Sequence, residues 1–161
     1  KEYRRYLVEQ VIGSAVVNCL FNAGLAWLAF RQMRHVPLLG PHSIVGDTIG
    51  TALLLPPIVA LLSLPNFRSL FARRMLLLPP QLPRALPLPQ QPLLLGLVLA
   101  LLACLTLAPA ALLLLTLTGV QSLSFAQFVC FKAGFAGLLA ALITPLILGR
   151  ALQWHLLHRR Y

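Results

Sequence analysis

The sequence of 161 residues is 59% hydrophobic and 10% charged, with 13 basic side chains against 3 acidic ones. This composition, with a mean hydropathy of +0.86, excludes an ordinary soluble domain and is typical of a protein that resides in a bilayer. The net charge of +10 does not predict nucleic-acid binding, because the basic residues lie mostly beside apolar segments and not along one soluble face.

The first apolar segment, residues 7–30, predicts a transmembrane helix whose aromatic end lies beside Arg31 and Arg34. Its polar residues recur every four positions and form one stripe, which we expect to face other helices and not lipid. The stripe consists of Gln10, Ser14, Asn18 and Asn22. Two interpretations of Asn18 and Asn22 remain open. They either hydrogen-bond to neighbouring helices or form part of a polar substrate path.

The second predicted span covers residues 43–64 and begins at Ser43, a good N-cap residue. Asp47 sets a carboxylate inside this span, and a charge in hydrocarbon is costly unless it faces protein or water. Gly46 and Gly50 form a G-x-x-x-G pattern beside the carboxylate. This pattern predicts close helix packing at the same place.

A basic segment follows the second span. Residues 66–75 combine apolar side chains at helical spacing with three arginines. This pattern predicts an interfacial helix with Phe67, Leu70 and Phe71 directed toward acyl chains. Residues 79–92 are rich in proline and predict an extended cytoplasmic loop across the lipid headgroups.

The last two apolar segments predict the third and fourth spans. Residues 93–118 form the third, and the short link at 119–123 predicts that the two helices are antiparallel neighbours. Ser124 and Gln127 have the spacing of a capping box that opens the fourth span, residues 126–149. The predicted fold class is therefore an all-α membrane protein with four transmembrane helices in a single domain.

Lys132, in the fourth span, is the only lysine or arginine inside the four predicted spans. Since each charge alone is costly in hydrocarbon, we predict that Asp47 and Lys132 meet directly or through Asn22, near the outer membrane surface. The pair either neutralises itself and fixes helix register or forms an outward-facing site for a polar or anionic group. The candidate binding residues are Asp47, Lys132, Asn22 and Asn18.

The distribution of basic residues predicts the orientation in the membrane. With both termini in the cytoplasm, ten basic residues lie inside and two outside, which agrees with the positive-inside rule. The inside residues are Lys1, Arg4, Arg5, Arg68, Arg73, Arg74, Arg84, Arg150, Arg159 and Arg160, and the outside residues are Arg31 and Arg34. We expect the inside residues to contact anionic lipid headgroups.

Short motifs in three of the four spans carry a resemblance to known proteins. They are Val17, Asn18, Asn22 and Trp27 in the first span, Ser43, Ile44, Gly46, Asp47 and Thr48 in the second, and residues 122–125, 131–133 and 144–147 in and before the fourth. In these residues the chain resembles a group of small bacterial inner-membrane proteins that are often labelled permease. The resemblance implies a bacterial inner membrane, and the label implies transport.

The sequence contains no paired carboxylates, no Ser/His/Asp or Cys/His set within one leaflet and no P-loop. We therefore expect a non-enzymatic protein without a catalytic site, metal or other cofactor, and with no nucleic-acid partner. Two classes of function remain open. One is a permease-like transport or ligand-binding module that acts as an oligomer. The other is an accessory or assembly subunit of a larger membrane complex, in which the polar residues serve only to pack helices.

Overall fold

A computed structural model describes the backbone of residues 2–73 and 88–158 and the side chains of residues 4–69 and 88–153. The elements in chain order are helix α1 (Glu2–Phe30), strand β1 (His35–Pro37), helices α2 (Ile44–Arg73), α3 (Pro92–Leu105) and α4 (Leu107–Leu117), strand β2 (Ser122–Ser124) and helix α5 (Phe125–His158).

Four segments of the described chain are long and apolar enough to cross a membrane, with α3 and α4 together forming the third. These segments are Arg4–Phe30, Ile44–Ser69, Pro92–Leu117 and Phe125–Gln153. They coincide with the four spans expected from the sequence to within a few residues at each end. The architecture is compatible with a multi-pass membrane protein.

Two caps predicted from the sequence are present. Ser43 Oγ accepts a hydrogen bond from the Gly46 N–H at 3.2 Å, in the first turn of α2. At the start of α5, the Ser124 N–H donates to Gln127 Oε1 at 3.0 Å and the Gln127 N–H donates to Ser124 Oγ at 3.4 Å. These reciprocal bonds are those of a capping box, and they supply partners for N–H groups that a helix start leaves unpaired.

The third span was expected as one helix but is interrupted at Thr106. Pro109 explains the position of the break, because it has no N–H to donate and its ring clashes with the carbonyl four residues earlier, at Leu105. The Thr106 hydroxyl donates to the Leu102 carbonyl at 2.7 Å, and the Ala110 N–H donates to the Thr106 carbonyl at 3.0 Å. Hydrogen bonding therefore continues across the interruption.

A small antiparallel sheet, absent from the all-α prediction, joins the two loops at one end of the bundle. β1 pairs with β2 so that Val36 lies opposite Leu123, and the Leu38 N–H extends the ladder to the Gln121 carbonyl at 2.8 Å. The loop between α1 and α2 and the loop between α4 and α5 therefore lie at the same end of the molecule.

The segment predicted as a separate interfacial helix continues α2 without a break as far as Arg73. Phe67 was expected to point toward acyl chains, but it is 6% exposed and belongs to the main hydrophobic core. Asn66 supports the helix after Pro65, because its Nδ2 donates to the Leu62 carbonyl at 2.8 Å. The remainder of the predicted interfacial segment and most of the proline-rich loop lie outside the described residues.

Helix α5 lies at the centre of the bundle, with α1 packed on one part of its surface and α2 on another. α3 packs chiefly on α2 and touches α5 only slightly. The third and fourth spans, predicted as antiparallel neighbours, therefore share much less contact with each other than each of them makes with α2. The main core lies between α2, α3 and α5 and contains Leu64, Leu95, Leu99 and Ile147, among others.

The closest backbone approaches occur at glycines other than those of the G-x-x-x-G pattern. A Cβ built on Gly96 of α3 would lie 2.4 Å from Pro57 Cα, and one on Gly137 of α5 would lie 3.3 Å from the Ala15 carbonyl oxygen. Among the described residues, no other helix comes within 4 Å of a Cβ at Gly46 or Gly50. The close contact predicted beside Asp47 is therefore not made by the part of the chain that the structure describes.

Candidate binding groove

Asp47 and Lys132 form a direct ion pair, in which Lys132 Nζ donates to Asp47 Oδ1. The side chains are 14% and 8% exposed, respectively. Asp47 lies in the first turn of α2, where the helix dipole favours a carboxylate. Asp47 lies three residues after the start of α2, and Lys132 lies seven residues after the start of α5. Their Cα atoms are therefore about 4.5 and 10 Å from the first residues of these two helices. The predicted contact between these two residues is confirmed.

A hydrophobic cluster separates the ion pair from the loops at the sheet end of the bundle. Ile44 precedes Asp47 by three residues and Phe128 precedes Lys132 by four, so each lies about one turn closer to the loops. Both side chains are fully buried, and Phe128 packs on Phe30 with ring centroids 4.6 Å apart. We call the cluster of Ala26, Phe30, Val36, Ile44, Leu123 and Phe128 the apolar cap. It closes the pair on the loop side.

Beside the ion pair, a groove of about 870 Å³ runs between α1 and α2, with α5 as its floor. It exists because α1 and α2 both pack on α5 but share no extensive contact with each other. We call it the α1–α2 groove. Asp47, Lys132, Asn18 and Asn22 all line it, so the four candidate binding residues are brought to one site. Whether they bind a ligand remains a prediction.

The α1 wall of the groove carries the polar stripe predicted from the sequence. Gln10, Ser14, Asn18 and Asn22 all line the groove, and Asn22 is 5% exposed. The amide nitrogens stay within their own helix: Asn18 Nδ2 donates to the Ser14 carbonyl at 2.8 Å, and Asn22 Nδ2 donates to the Asn18 carbonyl at 3.0 Å. These two bonds do not join α1 to another helix, in contrast to the interhelical interpretation.

The part of the α2 wall that follows Asp47 along the helix is apolar. The sequence analysis did not predict this apolar wall. It is formed mainly by Leu54, Leu55, Ile58, Val59 and Leu62. The residues recur at i, i+3, i+4 and i+7 or i+8, which places them on one face of the helix. This spacing is visible in the sequence, but so many leucines surround it that no single face stands out before the helices are packed.

The groove is open along its side toward the surroundings of the bundle. Phe21 on α1 and Leu54 on α2 line it, yet they are 62% and 66% exposed. Between Glu9 and Leu25, both lining residues of α1, the groove follows sixteen helical residues, a length of about 24 Å against a hydrocarbon core of about 30 Å. At the end away from the ion pair, Glu9 accepts a hydrogen bond from Arg5 at 3.0 Å.

Several donors and acceptors at the ion pair have no hydrogen-bond partner among the described residues. A lysine ammonium has three donors, and among the described residues only Asp47 Oδ1 accepts from it. In the same part of the chain no group donates to Asp47 Oδ2, nor to the Oδ1 atoms of Asn18 and Asn22. These atoms belong to residues that line the open groove, so they are available to hydrogen-bond to water or a ligand.

Within the described ranges, no three His, Cys, Asp or Glu side chains lie close enough together to hold a metal ion. No protein family, curated protein or solved structure matches the chain. The groove and its ion pair are therefore interpreted from their own chemistry.

Proposed function

We propose that this protein is a non-enzymatic, permease-like transport or ligand-binding module of a membrane, and that its site is the α1–α2 groove. One observation carries the proposal: the ion pair of Asp47 and Lys132 lies at one end of an open groove and keeps spare hydrogen-bonding groups there. A pair that served only to fix helix register would gain nothing from a groove. The volume of the groove, about 870 Å³, is within the range of small-molecule sites.

The roles of the groove residues follow from their positions. Asp47 and Lys132 hold the polar part of the ligand, with the Oδ1 acceptors of Asn22 and Asn18 further along the α1 wall. The apolar wall of α2 contacts the rest of the ligand. Four spans are few for a complete transport path, so we propose that the protein acts as an oligomer.

The experiment compares two leucine substitutions that add the same side chain in different places. Gly50 lines the groove and Gly134 of α5 does not, and apart from the adjacent backbone of its own helix no described atom lies within 4 Å of a Cβ at either position. Gly50→Leu places a bulky side chain in the groove beside Asp47, whereas Gly134→Leu leaves the groove unchanged. The wild type and both variants are purified in native membrane discs, and native mass spectrometry records the small molecules that each retains.

We expect the wild type and Gly134→Leu to retain a bound molecule of ligand size and Gly50→Leu to lose it. Identical retention in all three proteins, or no bound molecule in the wild type, would contradict the proposal.

A second candidate is an accessory or assembly subunit of a larger membrane complex. The observation in its favour is that α1 packs extensively on α5 alone among the described helices, and 11% of its most apolar window is buried. A partner helix seated on α1 would cover this surface. In that case Gly50→Leu would change the oligomeric state or the partner protein and not the retained small molecule.

We also propose that the protein lies in a bacterial inner membrane with both termini in the cytoplasm. The ten-to-two distribution of basic residues supports this orientation. Further support comes from the sheet of β1 and β2, which holds the two loops assigned to the outside at one end. A cysteine at Leu39, which is 73% exposed in the first of these loops, should react with an impermeant thiol reagent from outside the cell. Reaction from the cytoplasmic side alone would refute the orientation.

A further inference from the structure

We propose that the α1–α2 groove takes an amphiphile from the bilayer whose head is zwitterionic, with an anionic oxygen group at Lys132 and an ammonium at Asp47. This inference rests on the proposed function and names the class of ligand. The alkyl chain lies along the apolar wall of α2.

The first argument is electrostatic. Asp47 and Lys132 together carry no net charge, and they are at most 14% exposed. A ligand with a net charge would leave one charge without a partner in a region of low dielectric constant, which is costly. A zwitterion brings an equal number of charges of each sign. The spare N–H donors of Lys132 meet its anionic oxygens, and Asp47 Oδ2 accepts from its ammonium.

The second argument is the order of polar and apolar groups along the groove. The ion pair lies about 4.5 to 10 Å along its helices from the sheet end, close to where lipid headgroups would be. The apolar wall from Leu54 to Leu62 follows Asp47 by seven to fifteen residues, or about 10 to 22 Å further along α2. An amphiphile in one leaflet has its polar head at the membrane surface and its chain deeper in the hydrocarbon. It therefore has the same order and direction as the ion pair and the apolar wall of the groove.

The third argument is the route of entry. The apolar cap, with fully buried Ile44 and Phe128, blocks the path from the loops to the ion pair. The side of the groove is open, since Phe21 and Leu54 are more than half exposed. A ligand that already resides in the bilayer reaches the site through this side without crossing water.

The experiment uses four lysolipid-like probes with the same saturated chain and a photoactivatable diazirine near its end. Their heads are phosphoethanolamine (zwitterionic), phosphoglycerol (anionic), a primary amine (cationic) and glycerol (uncharged). Wild-type protein in micelles of an uncharged maltoside detergent, which supplies no zwitterionic competitor, is irradiated with each probe at equal concentration. Mass spectrometry then quantifies labelling of residues 54–62 against labelling of Leu97 and Leu101, which are exposed on α3.

We expect the phosphoethanolamine probe to label the groove wall about tenfold more than each of the other three. The anionic and cationic probes bring an uncompensated charge, and the glycerol probe offers neither an ammonium to Asp47 nor an anionic oxygen to Lys132. Labelling of Leu97 and Leu101 should not depend on the head. Gly50→Leu should abolish groove labelling, whereas Gly134→Leu should leave it unchanged.

Charge variants test the assignment of the two ends of the head. Asp47→Asn should move the preference to the anionic probe and Lys132→Met to the cationic one. Where a single variant does not fold, the double variant Asp47→Asn/Lys132→Met, which is neutral, should fold and lose the preference for the zwitterion over the uncharged probe.

Each failure has its own meaning. Equal labelling of the groove by all four probes would overturn the zwitterion assignment and leave the binding function in place. Labelling of the groove no stronger than that of Leu97 and Leu101 for every probe would overturn both. Disulfide-linked dimers of a Leu54→Cys variant that lacks the native thiols of Cys19, Cys104 and Cys130, with no probe labelling of the groove, would assign the groove to a second copy of the chain and overturn the inference.

Discussion

Replacement of Gly96 by alanine should separate α3 from α2. The new Cβ would lie 2.4 Å from Pro57 Cα and 3.2 Å from the Pro56 carbonyl oxygen. Ordinary contacts begin near 3.4 Å, so the helices would have to move apart by about 1.0 Å (3.4 − 2.4). The obstructing atoms belong to the backbone and have no rotamer to change. Overpacking of this kind costs about 1–3 kcal/mol, and we expect a value in the upper half of that range.

Two matched glycine variants on α5 calibrate this prediction. A Cβ at Gly137 would lie 3.3 Å from the Ala15 carbonyl oxygen, which requires a shift of a few tenths of an ångström, so Gly137→Ala should cost less than about 1 kcal/mol. Gly134→Ala meets no described atom and should be neutral or stabilising, because alanine favours helix by about 1 kcal/mol over glycine. The free energy of unfolding is measured by circular dichroism during titration with denaturing detergent. Equal stability of Gly96→Ala and Gly134→Ala would refute the assigned α2–α3 packing.

Three further predictions concern charges and caps. Asp47→Asn or Lys132→Met alone should destabilise the protein by up to about 3–5 kcal/mol, because each strands a buried charge. The double variant should recover part of that loss, so strictly additive losses in the same unfolding titration would argue against the ion pair. Ser43→Ala removes the acceptor at the start of α2 and should cost about 1 kcal/mol, whereas Ser43→Asn should restore most of it. Arg150→Met removes the hydrogen bond from Nε to the Pro89 carbonyl, 3.2 Å long, and should speed proteolysis near residue 89, with Arg150→Lys intermediate. An unchanged cleavage rate in Arg150→Met would show that this contact does not hold the chain.

The four spans, the helix caps and the ion pair were predictable because each depends on a local or one-dimensional property. Long apolar segments give the spans, and Ser43 and Ser124 give the caps from spacing alone. Asp47 and Lys132 could be paired because they are isolated opposite charges at similar predicted depths. Hydrocarbon provides no other partner for either.

The features that were missed depend on the packing of distant segments. β1 and β2 have three residues each, too few for a strand pattern, and β1 contains Pro37, a residue that is more typical of loops than of strands. The G-x-x-x-G pattern indicated contact at Gly50, but the close approach is at Gly96, which meets a proline backbone on another helix. The groove arises because α1 and α2 share no extensive contact among the described residues, which the sequence of neither helix reveals.

The most direct test of the central claim, that the α1–α2 groove is an accessible binding site, is thiol reactivity at two positions of α1. Asn18 lines the groove, and Leu20, two residues away at a similar depth, is 68% exposed on a different face and does not line it. Each is replaced by cysteine in a background that lacks the native thiols of Cys19, Cys104 and Cys130. The rate of reaction with a small, water-soluble methanethiosulfonate is measured in nanodiscs. We predict that Asn18→Cys reacts at least about tenfold faster than Leu20→Cys, because thiols ionise and react where polar groups hold water. Equally slow reaction at both positions would mean that the groove is closed and dry, and would contradict the proposed binding function.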